Sequence, residues 1–368
     1  MVEWKKLGDF IDYEQPTPYL VESTDYDDSY SIPVLTAGQS LLLGYTNETD
    51  GVYRASKHNP TIIFDDFTTS FHWIDFDFKI KSSAMKMLRP KVGVNFRYIY
   101  YTMLQINYVP TQHQRHWISK YSQFQIPIPS LSEQTRIVGI LDTFTASIAN
   151  LKEQIGERRK QYEHYRDQLL DLEGKEGVEV KTLGEVGEFI RGAGILKSDF
   201  VEDGMPCIHY GQIHTKYGFS TNTTLSKISE SLYKKSRKAV YGDVVLATTS
   251  EDAEGVAKPV VWLGEDSVAI SGDSYVYHHN QNGKYIAHLF LSHRFFLFKI
   301  KNATGAKVVR ISGDSMEKFE FPLPSLSEQT RIVNILDQFE ASIANLEAQL
   351  QERERQYEHY RNQLLTFE

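Results

Sequence analysis

Asp65 and Asp66 stand side by side in TIIFDD (61–66), and paired carboxylates are what a metal-dependent nuclease uses to hold magnesium. Neighbours on a strand point to opposite faces, however, so the two do not converge on one ion. HWIDFDF (72–78) mixes an imidazole with carboxylates, but its alternation is that of a half-buried strand. His278 and His279 read as surface or base-contacting groups, and the SGDS segments at Ser271 and Ser312 read as turns. Cys207 is the one cysteine, which excludes an internal disulfide and fits a small apolar residue in a reducing cytosol. There is no GxxxxGKS/T loop, no GxSxG elbow, no DPPY or NPPY loop and no Cys/His set at zinc spacing. A P-loop ATPase, a serine hydrolase, an amino-methyltransferase and a zinc site are therefore not expected. No catalytic constellation, cofactor site or metal site emerges.

The charges point elsewhere. The net charge is −8, which by itself disfavours a polyanionic partner. The arrangement is uneven. Residues 78–132 contain no Asp or Glu but carry Lys79, Lys81, Lys86, Arg89, Lys91, Arg97, Arg115 and Lys120. A second acid-free stretch between Asp273 and Asp314 carries Lys284, Arg294, Lys299, Lys301, Lys307 and Arg310, and earlier in the chain Lys234, Lys235, Arg237 and Lys238 form a tight cluster. Tyr, His, Asn and Gln are interleaved with them, and such groups contact phosphates and base edges. Two acid-free stretches at matching places favour a nucleic acid as partner. The plainer reading is that acids from elsewhere in the fold neutralise them.

What must position these groups is a repeat. PSLSEQTRIV occurs at Pro129 and again at Pro324, and 32 of 44 positions agree between 129–172 and 324–367. Each copy opens with a proline and an S-x-x-E capping signature, Ser130/Glu133 and Ser325/Glu328. A 3-4 seam follows: Leu141, Phe144, Ile148, Leu151, Ile155, Arg158, Tyr162, Tyr165 and Leu169 in the first copy. The second copy has Leu336, Phe339, Ile343, Leu346, Leu350, Arg353, Tyr357, Tyr360 and Leu364. Arg158 and Arg353 are matched polar breaks, expected to fix register. Each helix of roughly 40 residues spans about 60 Å. A single apolar stripe needs a partner, and the other copy is the nearest. Gln134, Asn150, Gln161 and His164 are repeated polar positions, expected to be exposed and to serve docking.

The remaining segments read as mixed α/β with short strands such as 61–66 and 242–250. Weak echoes link them: KKLGD at Lys5 with KTLGE at Lys181, and PVLTAGQ at Pro33 with PCIHYGQ at Pro206. The expected fold is α+β: two mixed α/β domains, 1–128 and 176–323, each followed by a long helix, 129–175 and 324–368. The apolar stripe would be buried either by the two helices pairing within the chain as an antiparallel coiled coil with pseudo-two-fold symmetry or by helices of another protein. No apolar run approaches the ~18 residues of a membrane helix, and MVEWKKLGDF lacks a signal-peptide core, so a cytoplasmic protein without membrane contact is expected.

The chain resembles the specificity subunits of type I DNA restriction–modification enzymes. The resemblance rests on the duplicated PSLSEQTRIV helix and on stretches similar to that family's target-recognition domains. These are PVLTAGQSLLLGYTNE, IIFDDFTTS, KSSAMKML and HxRxWIS (113–119) in the first domain, with HYGQIHTKYG, LATTSEDAEGVAK, AISGD and GAKVVRISGDSM in the second. It implies that each domain reads half of a bipartite, asymmetric DNA site. It also implies that the helices pair antiparallel, set the half-site spacing and dock two methyltransferase subunits, and that restriction/translocase subunits complete the complex. S-adenosylmethionine, ATP and Mg2+ then belong to those partners, and this chain is not itself an enzyme. Reader candidates are Lys57, Thr68, Thr69, Ser70, Lys81, Lys86, Arg89 and Arg115 in the first domain. In the second they are His214, Lys216, Tyr217, Thr248, Thr249, Ser250, Lys307 and Arg310. The competing readings are a coiled-coil scaffold without DNA readout and a stand-alone DNA-modifying enzyme.

Overall fold

A computed structural model describes residues 2–36, 38, 40–110, 114–305 and 307–367. Two long helices dominate it, Leu131–Leu170 and Leu326–Leu365, each of 40 residues. The chain divides into two compact units. One comprises Met1–Lys152 with Ala348–Glu368, and the other Glu153–Glu347. Each unit therefore contains one globular segment and part of both long helices.

In the first unit, Thr61–Asp65 is a central strand buried at four of its five positions. β-branched and aromatic side chains suit that place. It lies between Met85–Pro90 and Phe71–Ile74, and Ile11–Glu14 completes an antiparallel sheet of four. A three-stranded sheet joins Leu42–Thr46, Ile32–Leu35 and Lys79–Ile80, the last pair parallel. The core under the first sheet gathers Ile62, Phe64, Tyr98, Trp117 and Tyr121 with Ile137, Leu141 and Leu365 from the long helices. At roughly 1.5–3 kcal/mol per fully buried large apolar side chain, this burial anchors the helix ends to the domain.

The second unit has two five-stranded sheets. Val244–Ala247, buried at every position, sits centrally in one, between Lys258–Trp262 and Ser274–His279. Leu170, Leu172, Ile332 and Leu336 enter its core.

Behind the different sheets, the two units share a mount. Leu7 and Leu183, the leucines of KKLGD and KTLGE, are fully buried and donate their N–H groups to Phe124 O and Phe319 O at 2.9 and 3.0 Å. Glu3–Lys6 pairs antiparallel with Gln125–Ile128, as Glu179–Thr182 does with Glu320–Leu323. Asn95 and Asn282 cap the helices Phe96–Met103 and Gly283–Leu291. From those helices, Tyr98 and Tyr285 donate to Pro127 O and Pro322 O, both at 2.9 Å. The repeat thus extends beyond the 44 residues of strong identity.

In each unit the long helices run antiparallel. Phe144 meets Tyr360 and Lys152 meets Glu354 in the first. Tyr165 meets Phe339 and Arg159 meets Glu347 in the second. The seam is fully buried at Leu141 and Leu336 and nearly so at Leu151 and Ile155, while Tyr165 and Tyr360 are exposed at their outer edges. Ile148, Leu169, Ile343, Leu346, Leu350, Tyr357 and Leu364 are half-buried, as expected of a seam covered by one partner helix.

Two expectations change. Only half of each capping box forms. Ser130 and Ser325 accept the N–H of Glu133 and Glu328 at 3.3 Å, but both glutamates turn to Arg136 and Arg331 one turn on. Gln134 is buried rather than exposed. Its amide donates to Pro129 O and its Oε1 accepts the Asn95 N–H, each at 2.9 Å. Gln329 repeats this with Pro324 O at 2.9 Å and the Asn282 N–H at 3.0 Å. The repetition of this glutamine is therefore accounted for by the mount. Asn150, Gln161 and His164 are exposed as expected.

Candidate nucleic-acid interface

The sequence FDDFTTS forms the turn between the strands Thr61–Asp65 and Phe71–Ile74. Asp65 builds it: its Oδ1 accepts the N–H groups of Phe67 and Thr68 at 2.8 and 2.9 Å, and its carbonyl accepts that of Thr69. Thr69 is buried at φ +59°, a left-handed conformation that costs a β-branched residue. The hydroxyls of exposed Thr68 and of Ser70 lie 2.7 Å apart at the tip.

Asp66 braces the turn from below. Its carboxylate holds Lys86 at 3.1 Å, each side chain 2% exposed, and accepts the Trp117 N–H at 2.7 Å. The two aspartates thus have separate structural tasks. Among the described residues no group of three or more His, Cys, Asp or Glu is arranged to hold a metal ion.

The first acid-free stretch is largely neutralised. Lys79 pairs with Glu48, Lys86 with Asp66, Arg89 with Glu14, Lys91 with Asp12 and Arg97 with Asp142. Arg89 also donates to Tyr53 Oη at 2.7 Å. Lys57, in the Ser56–Asn59 turn, and Lys81, Arg115 and Lys120 are exposed and form no ion pair among the described residues. His113 of the HxRxWIS stretch lies outside the described residues.

In the second unit a cleft of about 930 Å³ brings together His214, Thr249, Ser250 and Arg310. Short strands Thr249–Ser250 and Val309–Arg310 pair along its wall, and His214 Nε2 lies 2.8 Å from Thr249 O. Lys216 and Lys307 are exposed but do not line the cleft. Two further candidates are structural. Thr248 is buried, with its N–H and hydroxyl both on Asp273 O, and buried Tyr217 accepts the Leu225 N–H at 2.9 Å.

The cleft also carries Glu251, Asp252 and Glu254. Carboxylates repel phosphate but accept hydrogen bonds from base amino groups, so this wall suits base edges better than backbone. Its loop is held by Lys299, which is 5% exposed and donates to Glu254 O and Val256 O at 2.6 and 3.0 Å. Burial pulls the Lys299 ammonium down to about 8, against the opposing pull of Glu254 and Asp252. Along the chain Lys299 is one more base of the second acid-free stretch. It falls four residues after Phe295 and beside Phe298, three after Phe295, and that shared helical face is the available sign of burial.

His278 and His279 are not free surface groups. His278 Nδ1 pairs with Asp243 at 2.7 Å, and burial holds His279 down to about 4. In the second acid-free stretch Lys284 pairs with Asp337 and Arg294 with Glu173.

The family model of the type I restriction modification DNA specificity domain matches residues 1–158 and 175–355. The chain is 40% identical over 391 residues to the EcoR124I/EcoR124II type I restriction enzyme specificity subunit of Escherichia coli, covering all of this chain and 94% of that one. It is 28% identical over 385 residues to a putative type I restriction enzyme specificity subunit of Haemophilus influenzae, covering all of this chain and 96% of that one. Its fold is that of the type I restriction–modification S subunit of Mycoplasma genitalium, with a TM-score of 0.61 at 14% identity over 100% and 97% of the two chains. A chain from a structural study of type I complex assembly and conformational transition aligns with a TM-score of 0.57 at 17% identity, over 99% and 96%.

Proposed function

The chain belongs to the family of type I restriction–modification DNA specificity subunits, and from that membership we propose how its parts divide the work. Residues 1–128 and 176–323 act as target-recognition domains, and 129–175 and 324–368 as the helices that space them. Each domain reads one half of a bipartite site on double-stranded DNA. The observation that carries this is the shared mount beneath unlike surfaces. Asn95/Gln134 and Asn282/Gln329 hold both domains in the same way, while one turn displays Thr68 and Ser70 and the other cleft displays His214, Ser250 and Arg310. Unlike readers on like mounts imply an asymmetric site.

The chain contributes recognition and no chemistry. Two methyltransferase subunits dock on the repeated outer faces of the helices, and restriction/translocase subunits join them. S-adenosylmethionine, ATP and Mg2+ belong to those partners, and the complex works in the cytoplasm. Among the described residues no helix is long and apolar enough to cross a membrane. The reader set retains Lys57, Thr68, Ser70, Lys81, Arg89, Arg115, His214, Lys216, Thr249, Ser250, Lys307 and Arg310. It sets aside Lys86, Thr69, Tyr217 and Thr248, whose side chains are buried.

Sequencing the methylated motif in the host tests the reading. We expect two unlike blocks separated by a fixed gap, and a palindromic motif would overturn it. A duplex-DNA shift with the methyltransferase subunits present, weakening steeply with salt, separates it from a scaffold without DNA readout.

A further inference from the structure

The two helical copies differ at 12 of 44 positions, and two of those differences reverse the charge. Where the first copy has Lys152 and Arg159, the second has Glu347 and Glu354, each 195 residues on. The fold sets these differences against one another. Lys152 pairs with Glu354 at 2.9 Å in the first unit, and Arg159 with Glu347 at 2.5 Å in the second. Position one of each helix thus faces position two of the other, and both contacts join a base of the first copy to an acid of the second.

We propose that these four residues are a pairing code that selects first copy against second copy. The seam cannot make that selection. Its aromatic and arginine positions, Phe144/Phe339, Arg158/Arg353, Tyr162/Tyr357 and Tyr165/Tyr360, are the same in both copies, so an apolar stripe alone accepts either helix as partner. In the same antiparallel geometry, two first copies from different chains would set Lys152 against Arg159 twice. Two second copies would set Glu347 against Glu354 twice. Each exposed pair is individually weak. Discrimination depends on the difference between attraction in the right pairing and repulsion in the wrong one, summed over both contacts. The pairing rule stands on this geometry. Its consequence rests on the function proposed above: first-with-second pairing puts one domain of each kind in every complex and keeps the recognised site asymmetric.

The test uses the full chain with its methyltransferase partners. Lys152→Glu with Arg159→Glu makes both contacts acid against acid. Adding Glu347→Lys and Glu354→Arg to that variant restores opposite charge with the polarity reversed. We expect the acidic variant to melt about 5 °C lower than the parent at low salt. That gap should close near 1 M salt, where the screening length is ~3 Å. The four-residue exchange should regain the parental melting temperature and the parental motif. An acidic variant that melts like the parent at low salt overturns the proposal. So does an exchange that stays destabilised or unfolded, because the charge order would then not be interchangeable. Melting behaviour as expected, with a parent that directs no bipartite motif, would instead sink the functional reading and leave the pairing code standing.

Discussion

The ring of Phe144 stacks on that of Tyr360, centroids 5.3 Å apart and planes inclined by 27°. The guanidinium of Arg353 lies over the same Phe144 ring at 5.6 Å. The second unit repeats the arrangement: Tyr165 stacks on Phe339 at 5.5 Å, and Arg158 lies 5.9 Å from that ring. Each seam phenylalanine is thus contacted by a tyrosine and by the polar break of the facing helix. The arginines are therefore partners of the seam aromatics and not simple interruptions.

Replacing both Arg158 and Arg353 by Leu should raise stability by about 1 kcal/mol. Added apolar burial then exceeds two half-exposed cation–π contacts of ~0.5–1 kcal/mol each. It should also admit neighbouring registers, because Leu packs without the orientation a guanidinium needs over a ring. Denaturant midpoints and the gap length in the methylated motif check this. An unchanged, single gap length would count against the register role.

Gln134→Ala should cost about 1–3 kcal/mol, since it leaves the Asn95 N–H and the Pro129 carbonyl without their partner. Gln329→Ala should cost a similar amount through Asn282 and Pro324. Urea unfolding of the two single variants measures both. A loss below ~0.5 kcal/mol in both would remove the mount from the account.

Acid should destabilise the second unit through His288. The residue is fully buried, stacks on Phe219 at 4.3 Å and lies 3.2 Å from Tyr162 Oη. Burial, with the nearby cations Arg166 and Lys284, pushes its pKa down from 6.5 to about 3. Between those values the unfolded chain binds a proton that the folded chain refuses. Its contribution is therefore fully present above pH ~6.5 and is lost as pH falls, by up to ~1.4 kcal/mol per pH unit. His288→Phe should flatten that acid slope in denaturation curves taken between pH 7 and pH 5. An unaltered slope would assign it to other groups, His279 first among them.

Arg310→Ala and Lys86→Met should part company. Arg310 is exposed in the cleft wall, so its loss should weaken DNA binding by about 1–3 kcal/mol with folding unchanged. Lys86→Met leaves Asp66 buried without its cation and should cost ~3–5 kcal/mol of stability instead. Binding isotherms beside melting curves distinguish the two. Arg310→Ala with full affinity and an unchanged motif would strike it from the readers.

The sequence alone determined the parts whose signals are local or repeated. The two long helices and buried strands within 61–66 and 242–250 followed from proline stops, a 3-4 seam and apolar runs, because these depend on neighbours a few residues away, although the helices end at Leu170 and Leu365, short of the expected 175 and 368. The family followed from motif order. Only the tertiary structure decided which charges stay available. Residues 78–132 look uniformly basic along the chain, yet Glu14, Glu48, Asp66 and Asp142 come to Arg89, Lys79, Lys86 and Arg97 from up to 75 residues before and 45 after. The same holds for Gln134, polar by type but buried because two backbone groups of the mount need it. Neutralisation and hydrogen-bond satisfaction are contacts between distant segments, and a linear reading of composition cannot see them.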